Sequence, residues 1–124
     1  MSKKILLIVD DDPQIVALLA SRLKAAGFAI AVALDPVMAM NLIGQNKPDL
    51  ILLDIRMPAG GGEHLYETIR RSAKTMLVPV IFMTAYPENE FLQKVKGSAN
   101  TDLIFKPFES GVLLEKIKKL VGEE

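Results

Sequence analysis

A short apolar run that ends in three acids constrains this chain more than any other feature. Ile5-Leu6-Leu7-Ile8-Val9 is followed directly by Asp10-Asp11-Asp12 and then by Pro13. A segment apolar at every position reads as a strand buried on both faces. Carboxylates crowded at its end repel one another. A fold keeps such a crowd for a bound cation, a raised pKa or open solvent.

The rest of the composition narrows the setting. A chain of 124 residues, half of them hydrophobic, corresponds to one domain over 1–124, and no output domain is expected within it. Fifteen basic and fifteen acidic residues balance to a formal charge of zero, which argues against direct nucleic-acid contact by these residues. The chain has no cysteine, so disulfides and thiolate metal sites are excluded. Ser2-Lys3-Lys4 and the apolar run after it imitate a secretory signal, but five apolar residues are too few. No segment approaches the ~20 apolar residues of a membrane span. A cytoplasmic protein with no membrane partner is expected.

Five apolar runs recur along the chain: Ile5–Val9, Ala29–Leu34, Leu50–Leu53, Val78–Met83 and Leu103–Phe105. Helical patterns lie between them. Asp12 is a good N-cap and Pro13 suits the first helical position; Ile15, Leu18, Leu19 and Leu23 then repeat at helical spacing until Gly27. Asp35-Pro36 repeats that start signal for a helix through about Gln45. Further helices are expected over Glu63–Ser72, within Glu88–Lys96 and over Glu109–Val121, the last with Val112, Leu113, Ile117, Leu120 and Val121 on one side. Strand and helix alternating in this way predict an α/β fold, a doubly wound five-stranded parallel sheet of flavodoxin-like (βα)5 type. Its expected strand order is 2-1-3-4-5.

In such sheets ligands sit beyond the carboxyl ends of the strands. Strand 1 ends in Asp10 and Asp11, strand 3 in Asp54, strand 4 in Thr84 and strand 5 in Lys106. Asp35 ends strand 2 at the edge, away from the switch point. One sheet edge therefore gathers three carboxylates, a hydroxyl and an ammonium. The acids suit a hard divalent ion, Mg²⁺ or Mn²⁺. Asp54 could both ligate that ion and attack a phosphoryl group, with Lys106 as cation and Thr84 as hydroxyl donor.

The set Val9-Asp10-Asp11, Leu52-Leu53-Asp54-Ile55-Arg56-Met57-Pro58, Met83-Thr84-Ala85 and Phe105-Lys106-Pro107-Phe108 resembles the response-regulator receiver domain of two-component signalling. The resemblance covers essentially the whole chain. It implies that Asp54 is the phosphoacceptor, with Asp11 the direct metal ligand and Asp10 the acid that holds the ion partly through water. It adds the backbone carbonyl of Arg56 to the metal site. Thr84 then resembles the switch hydroxyl, Ala85 the small residue that admits phosphodonors, and Lys106 the phosphate-binding lysine before a cis Lys106-Pro107 bond. Arg56 and Tyr86 occupy positions that tune phosphoryl lifetime in the family. The implied donors are a histidine kinase, a phosphotransfer protein or a small acyl phosphate. The implied output is a shape change at the helix 4–strand 5–helix 5 face. A downstream protein or fused output domain would read it, and the chain would be a monomer or a phosphorylation-dependent dimer.

The chain departs from the family at several positions. Leu103 stands at the switch position, where an aromatic residue is usual. Phe105, next to the lysine, is expected on the opposite face of the strand and is not taken as its substitute. The run Pro58-Ala59-Gly60-Gly61-Gly62 reads as flexible loop backbone, because no Gly-Lys-Ser/Thr follows to make a P-loop. His64, the one histidine, has no paired motif. Lys116, Lys118 and Lys119 read as a solvated face, and Met38, Met40, Met76 and Met83 as core or gap-filling residues. Two rival functions stand beside the signalling module. One is a phosphatase of haloacid-dehalogenase type using Asp10 and Asp12, although Pro13-Gln14 do not suit that motif. The other is an unphosphorylated receiver-like adaptor.

Overall fold

A computed structural model describes residues 3–58, 61–86 and 89–122. Among these residues ten elements alternate: β1 (Ile5–Val9), α1 (Pro13–Ala25), β2 (Ala29–Ala33), α2 (Pro36–Gln45), β3 (Leu50–Asp54), α3 (Gly61–Arg71), β4 (Val80–Thr84), α4 (Glu90–Val95), β5 (Thr101–Phe105) and α5 (Ser110–Val121). The sheet is parallel throughout, in the order β2-β1-β3-β4-β5. This is the doubly wound order that the alternation predicts.

The continuous apolar strands sort by parity into two layers. Leu7, Val9, Ile51, Leu53 and Phe82 face α2, α3 and α4. Leu6, Ile8, Leu52, Ile81 and Met83 face α1 and α5. In the first layer the rings of Tyr66, Phe82 and Phe91 stack with centroids 4.9 to 5.8 Å apart, tying α3, β4 and α4 together. Arg70 fastens the far end of the sheet, donating to the carbonyls of Val78 (2.6 Å) and Asn100 (2.9 Å).

Helix starts follow the chemistry of their caps. The Asp12 carboxylate accepts from the Gln14 and Ile15 amides, and that of Asp35 accepts from Met38 at 2.8 Å. Asn89 caps α4 in the same way through Leu92; Glu88, inside the stretch expected for that helix, lies outside the described residues, as do Ala59 and Gly60. The fourth strand begins at Val80 rather than Val78, because the Val78 amide is used in a turn to Thr75 and Pro79 has none.

Several expectations about burial do not hold. Leu18 is 51% exposed, and α1 instead buries Val16, Leu19 and Leu23. Val112 on α5 is exposed, whereas Leu113 and Ile117 are buried. Of the four methionines expected to fill the core, Met83 does so, whereas Met38, Met40 and Met76 are exposed. Helical spacing marks a stripe, but the width covered by the sheet decides how much of it is buried. Lys116 is not simply solvated either: its ammonium pairs with Asp102 at 3.2 Å.

Candidate functional site

The carboxyl ends of β1 and β3 lie side by side, with Val9 registered to Leu53. That register brings the Asp10, Asp11 and Asp54 side chains into one cluster, each offering an oxygen within 4.8 Å of the others. Asp10 and Asp54 are buried and Asp11 is exposed. Oxygens on opposite sides of a Mg²⁺ ion lie about 4 Å apart. Three hard carboxylate donors at this spacing, one of them open to solvent, fit a divalent cation that keeps several waters.

Asp10 is held from both sides. One oxygen accepts from the Asp12 amide at 3.0 Å, and the other meets the Lys106 ammonium at 3.2 Å. The same ammonium lies 3.5 Å from Asp54 Oδ1, which also accepts from the Arg56 amide at 3.2 Å. Lys106 reaches this point because its amide bonds the Thr84 carbonyl at 2.7 Å, at the end of the β4–β5 ladder. The Lys106-Pro107 bond that follows is cis, as the resemblance implies.

These contacts set the electrostatics of Asp54. Burial raises its carboxyl above the ordinary carboxylate range, and repulsion from Asp10 pushes the same way. Lys106 and the Arg56 amide oppose the shift, and Asp11 adds to it. The acid at the centre of the cluster is therefore one whose charge is poorly compensated. An added cation relieves it.

Thr84 is buried beside the cluster, but its hydroxyl is turned to its own loop. It accepts from the Tyr86 amide at 2.9 Å and donates to the Tyr86 carbonyl at 3.4 Å. Tyr86 in turn stacks on Arg56, with the guanidinium carbon 4.2 Å from the ring centroid. Ala85 lines an apolar groove of about 390 Å³ with Leu18, Leu19, Lys106, Pro107 and Phe108. Asp12, by contrast, caps α1 through its Oδ1. His64 is exposed in the first turn of α3, apart from the cluster.

Two features of the site were missed by the sequence reading. Gly61 and Gly62 are helical rather than loop, and a Cβ at Gly62 would lie 2.6 Å from the Asp54 carbonyl and 2.8 Å from that of Ile55. The glycine lets α3 begin against the backbone that carries the acceptor candidate. Phe105 also departs from its expected place. Strand alternation puts it on the face of Leu103, and it is 52% exposed, while Ile104 between them enters the other layer.

The family model of the response regulator receiver domain matches residues 6–118. The RpaA protein of Synechocystis sp., a DNA-binding dual master transcriptional regulator, is 33% identical over 118 residues, which are 94% of this chain and 48% of that protein. The phosphate regulon transcriptional regulatory protein PhoB of Pseudomonas aeruginosa is 34% identical over 123 residues, 98% of this chain and 53% of that protein. The chain thus spans about half the length of the curated relatives it matches. Among solved structures, the chemotaxis protein CheY4 of Vibrio cholerae superposes with a TM-score of 0.87 at 25% identity, covering 96% of this chain and 99% of that one. A putative response regulator from Chloroflexus aurantiacus gives 0.84 at 29% identity, covering 98% and 100%.

This chain belongs to the response regulator receiver domain family. It is a signalling module of two-component systems. Among the described residues no helix is long and apolar enough to cross a membrane.

Proposed function

We propose that Asp54 accepts a phosphoryl group and that Asp10, Asp11, Thr84 and Lys106 serve that transfer. The carrying observation is the single ammonium of Lys106 shared by Asp10 and Asp54 inside a cluster of three acids. A carboxylate oxygen of Asp54 attacks phosphorus. The bond to the donor's nitrogen or carboxylate oxygen breaks, and its electron pair leaves with the donor. Asp10, Asp11, Asp54 and the Arg56 carbonyl would hold Mg²⁺ or Mn²⁺. When bound, the ion offsets the charge of the acids and of the phosphoryl oxygens. Lys106 gives the same support from the protein. Hydrolysis reverses the state: water attacks phosphorus, Asp54 leaves as carboxylate, and the Arg56–Tyr86 stack limits the approach of that water.

The phosphodonor is a histidine kinase, a phosphotransfer protein or a small acyl phosphate. A protein donor has to cover the surface beside Asp54, and the groove past Ala85 and the exposed Leu18 supplies apolar area there. A new phosphoryl oxygen gives the Thr84 hydroxyl a stronger acceptor than the Tyr86 carbonyl at 3.4 Å. Its turn toward the acceptor biases an equilibrium between two conformations. The α4–β5–α5 face, where Phe105 and Val112 are exposed, carries the change to a downstream protein or fused output domain in the cytoplasm. The balanced charge of this chain leaves any DNA contact to other parts of the assembly.

Acetyl phosphate with Mg²⁺ should add one alkali-labile phosphoryl group per chain, without sustained release from a phosphomonoester. Steady turnover of a phosphomonoester would favour the phosphatase reading, and no label at all would favour an adaptor. The metal site gives an independent readout. At tenfold its dissociation constant, Mg²⁺ should stabilise the fold by about 1.4 kcal/mol. A melting temperature unmoved across a millimolar titration would refute the metal assignment.

A further inference from the structure

The edge of the sheet formed by β2 and α2 differs from the rest of the surface. A quarter of the residues in the chain are charged, yet between Lys24 and Lys47 only Asp35 is, at the carboxyl end of the edge where it caps α2. This stretch exposes Leu34, Met38 and, at 72%, Val37. The alanines at 29, 31 and 33 leave the α2 face of the edge strand thinly covered. A groove of about 340 Å³ lies on the α1 side, bounded by Ala17, Ala20, Leu34 and Met38, and one of about 220 Å³ lies on the α2 side. Depletion of charge with exposed methionine marks the core of a protein interface. Uncharged edge strands are ones that natural proteins otherwise protect.

The backbone at this edge is also open. The Ala29 amide bonds the Lys4 carbonyl, and the Ala33 carbonyl accepts from Asp10, so the alanines turn their peptide groups toward β1. Backbone direction alternates along a strand, so Ile30 and Val32 turn theirs outward. Among the described residues no strand lies beyond β2 in the sheet.

We propose that β2 pairs antiparallel with β2 of a second copy, joining two sheets across a two-fold axis at Ala31. Ile30 of one copy then faces Val32 of the other, and each such pair can exchange two backbone hydrogen bonds. Charge fixes both the partner and the direction. The amino end of the edge carries Lys24, in the last turn of α1, and Lys4, while the carboxyl end carries Asp12 and Asp35. An antiparallel two-fold sets the basic end of each copy against the acidic end of the other, whereas a parallel pairing would set like against like. An apolar middle with opposite charges at its two ends is complementary to itself, as an isologous interface requires.

The test is sedimentation of the intact chain without phosphodonor or divalent ion, so its outcome does not depend on the phosphoryl reading. The wild type should sediment as a dimer at about 100 µM. Lys24→Glu should raise the dissociation constant tenfold or more. Val32→Pro removes an outward amide that β1 does not use, and should give monomer. Should Val32→Pro fail to fold, Lys24→Glu decides alone. A monomeric wild type at that concentration overturns the proposal, and so does a dimer whose dissociation constant Lys24→Glu leaves unchanged.

Discussion

Asp54→Asn should abolish phosphoryl uptake from acetyl phosphate and Mg²⁺ while leaving a better-folded protein. The amide keeps the shape of the acid but offers no nucleophilic carboxylate, so covalent label should fall to background. Label that persists at wild-type level would remove Asp54 from its role. The stability effect has the opposite sign to an ordinary site mutation. A carboxyl whose native pKa lies above its unfolded value binds its proton more tightly when folded. Stability therefore falls as pH rises from the ordinary value of 3.8 through the raised native one, and above that window the penalty is constant. Asn has no such titration. At neutral pH without metal, Asp54→Asn should be the more stable of the two, seen as a higher melting temperature. The gap should close as pH is lowered through the window, and a variant less stable than wild type at neutral pH would contradict the strained-acid account.

Gly62→Ala should be among the most damaging single-methyl changes in the chain. The added carbon would sit 2.6 to 2.9 Å from the Asp54 carbonyl, the Ile55 carbonyl and the Ile55 Cα, all backbone atoms that cannot rotate aside. Either α3 moves off the sheet or the end of β3 moves with its acid. Overpacking of this kind costs about 1–3 kcal/mol and here also displaces Asp54, the proposed acceptor. We expect a melting temperature lowered by several degrees and slower labelling of the folded fraction. Gly44→Ala provides the control, since nothing lies within 4 Å of its added carbon, and it should be neutral or mildly stabilising. Equal stability of the two variants would dismiss the close-approach argument.

The contrast between these two glycines illustrates what the sequence can disclose. Asp10, Asp11, Asp54, Thr84 and Lys106 were legible because each ends a run of apolar residues, and a parallel sheet delivers all strand ends to one edge. The caps at Asp12 and Asp35 were legible because the signal is local. Gly62 was not, since its constraint comes from a backbone approach between elements that spacing does not encode. Leu18, Met38 and Met40 were misplaced for a related reason: periodicity ranks positions around a helix without saying how far the neighbouring layer extends. The shared hold of Lys106 on Asp10 was also hidden, because the lysine alone suggests only a contact to phosphate.

The stack of Tyr86 on Arg56 has a practical side. The chain contains no tryptophan and two tyrosines, and Tyr66 is packed among Phe82 and Phe91, well inside the first layer. Near-ultraviolet signals from the second ring therefore come from within a few bonds of the Thr84 hydroxyl. Tyr86 is thus an unlabelled optical gauge beside the hydroxyl proposed to switch, readable in real time without a dye, a tag or an engineered chromophore.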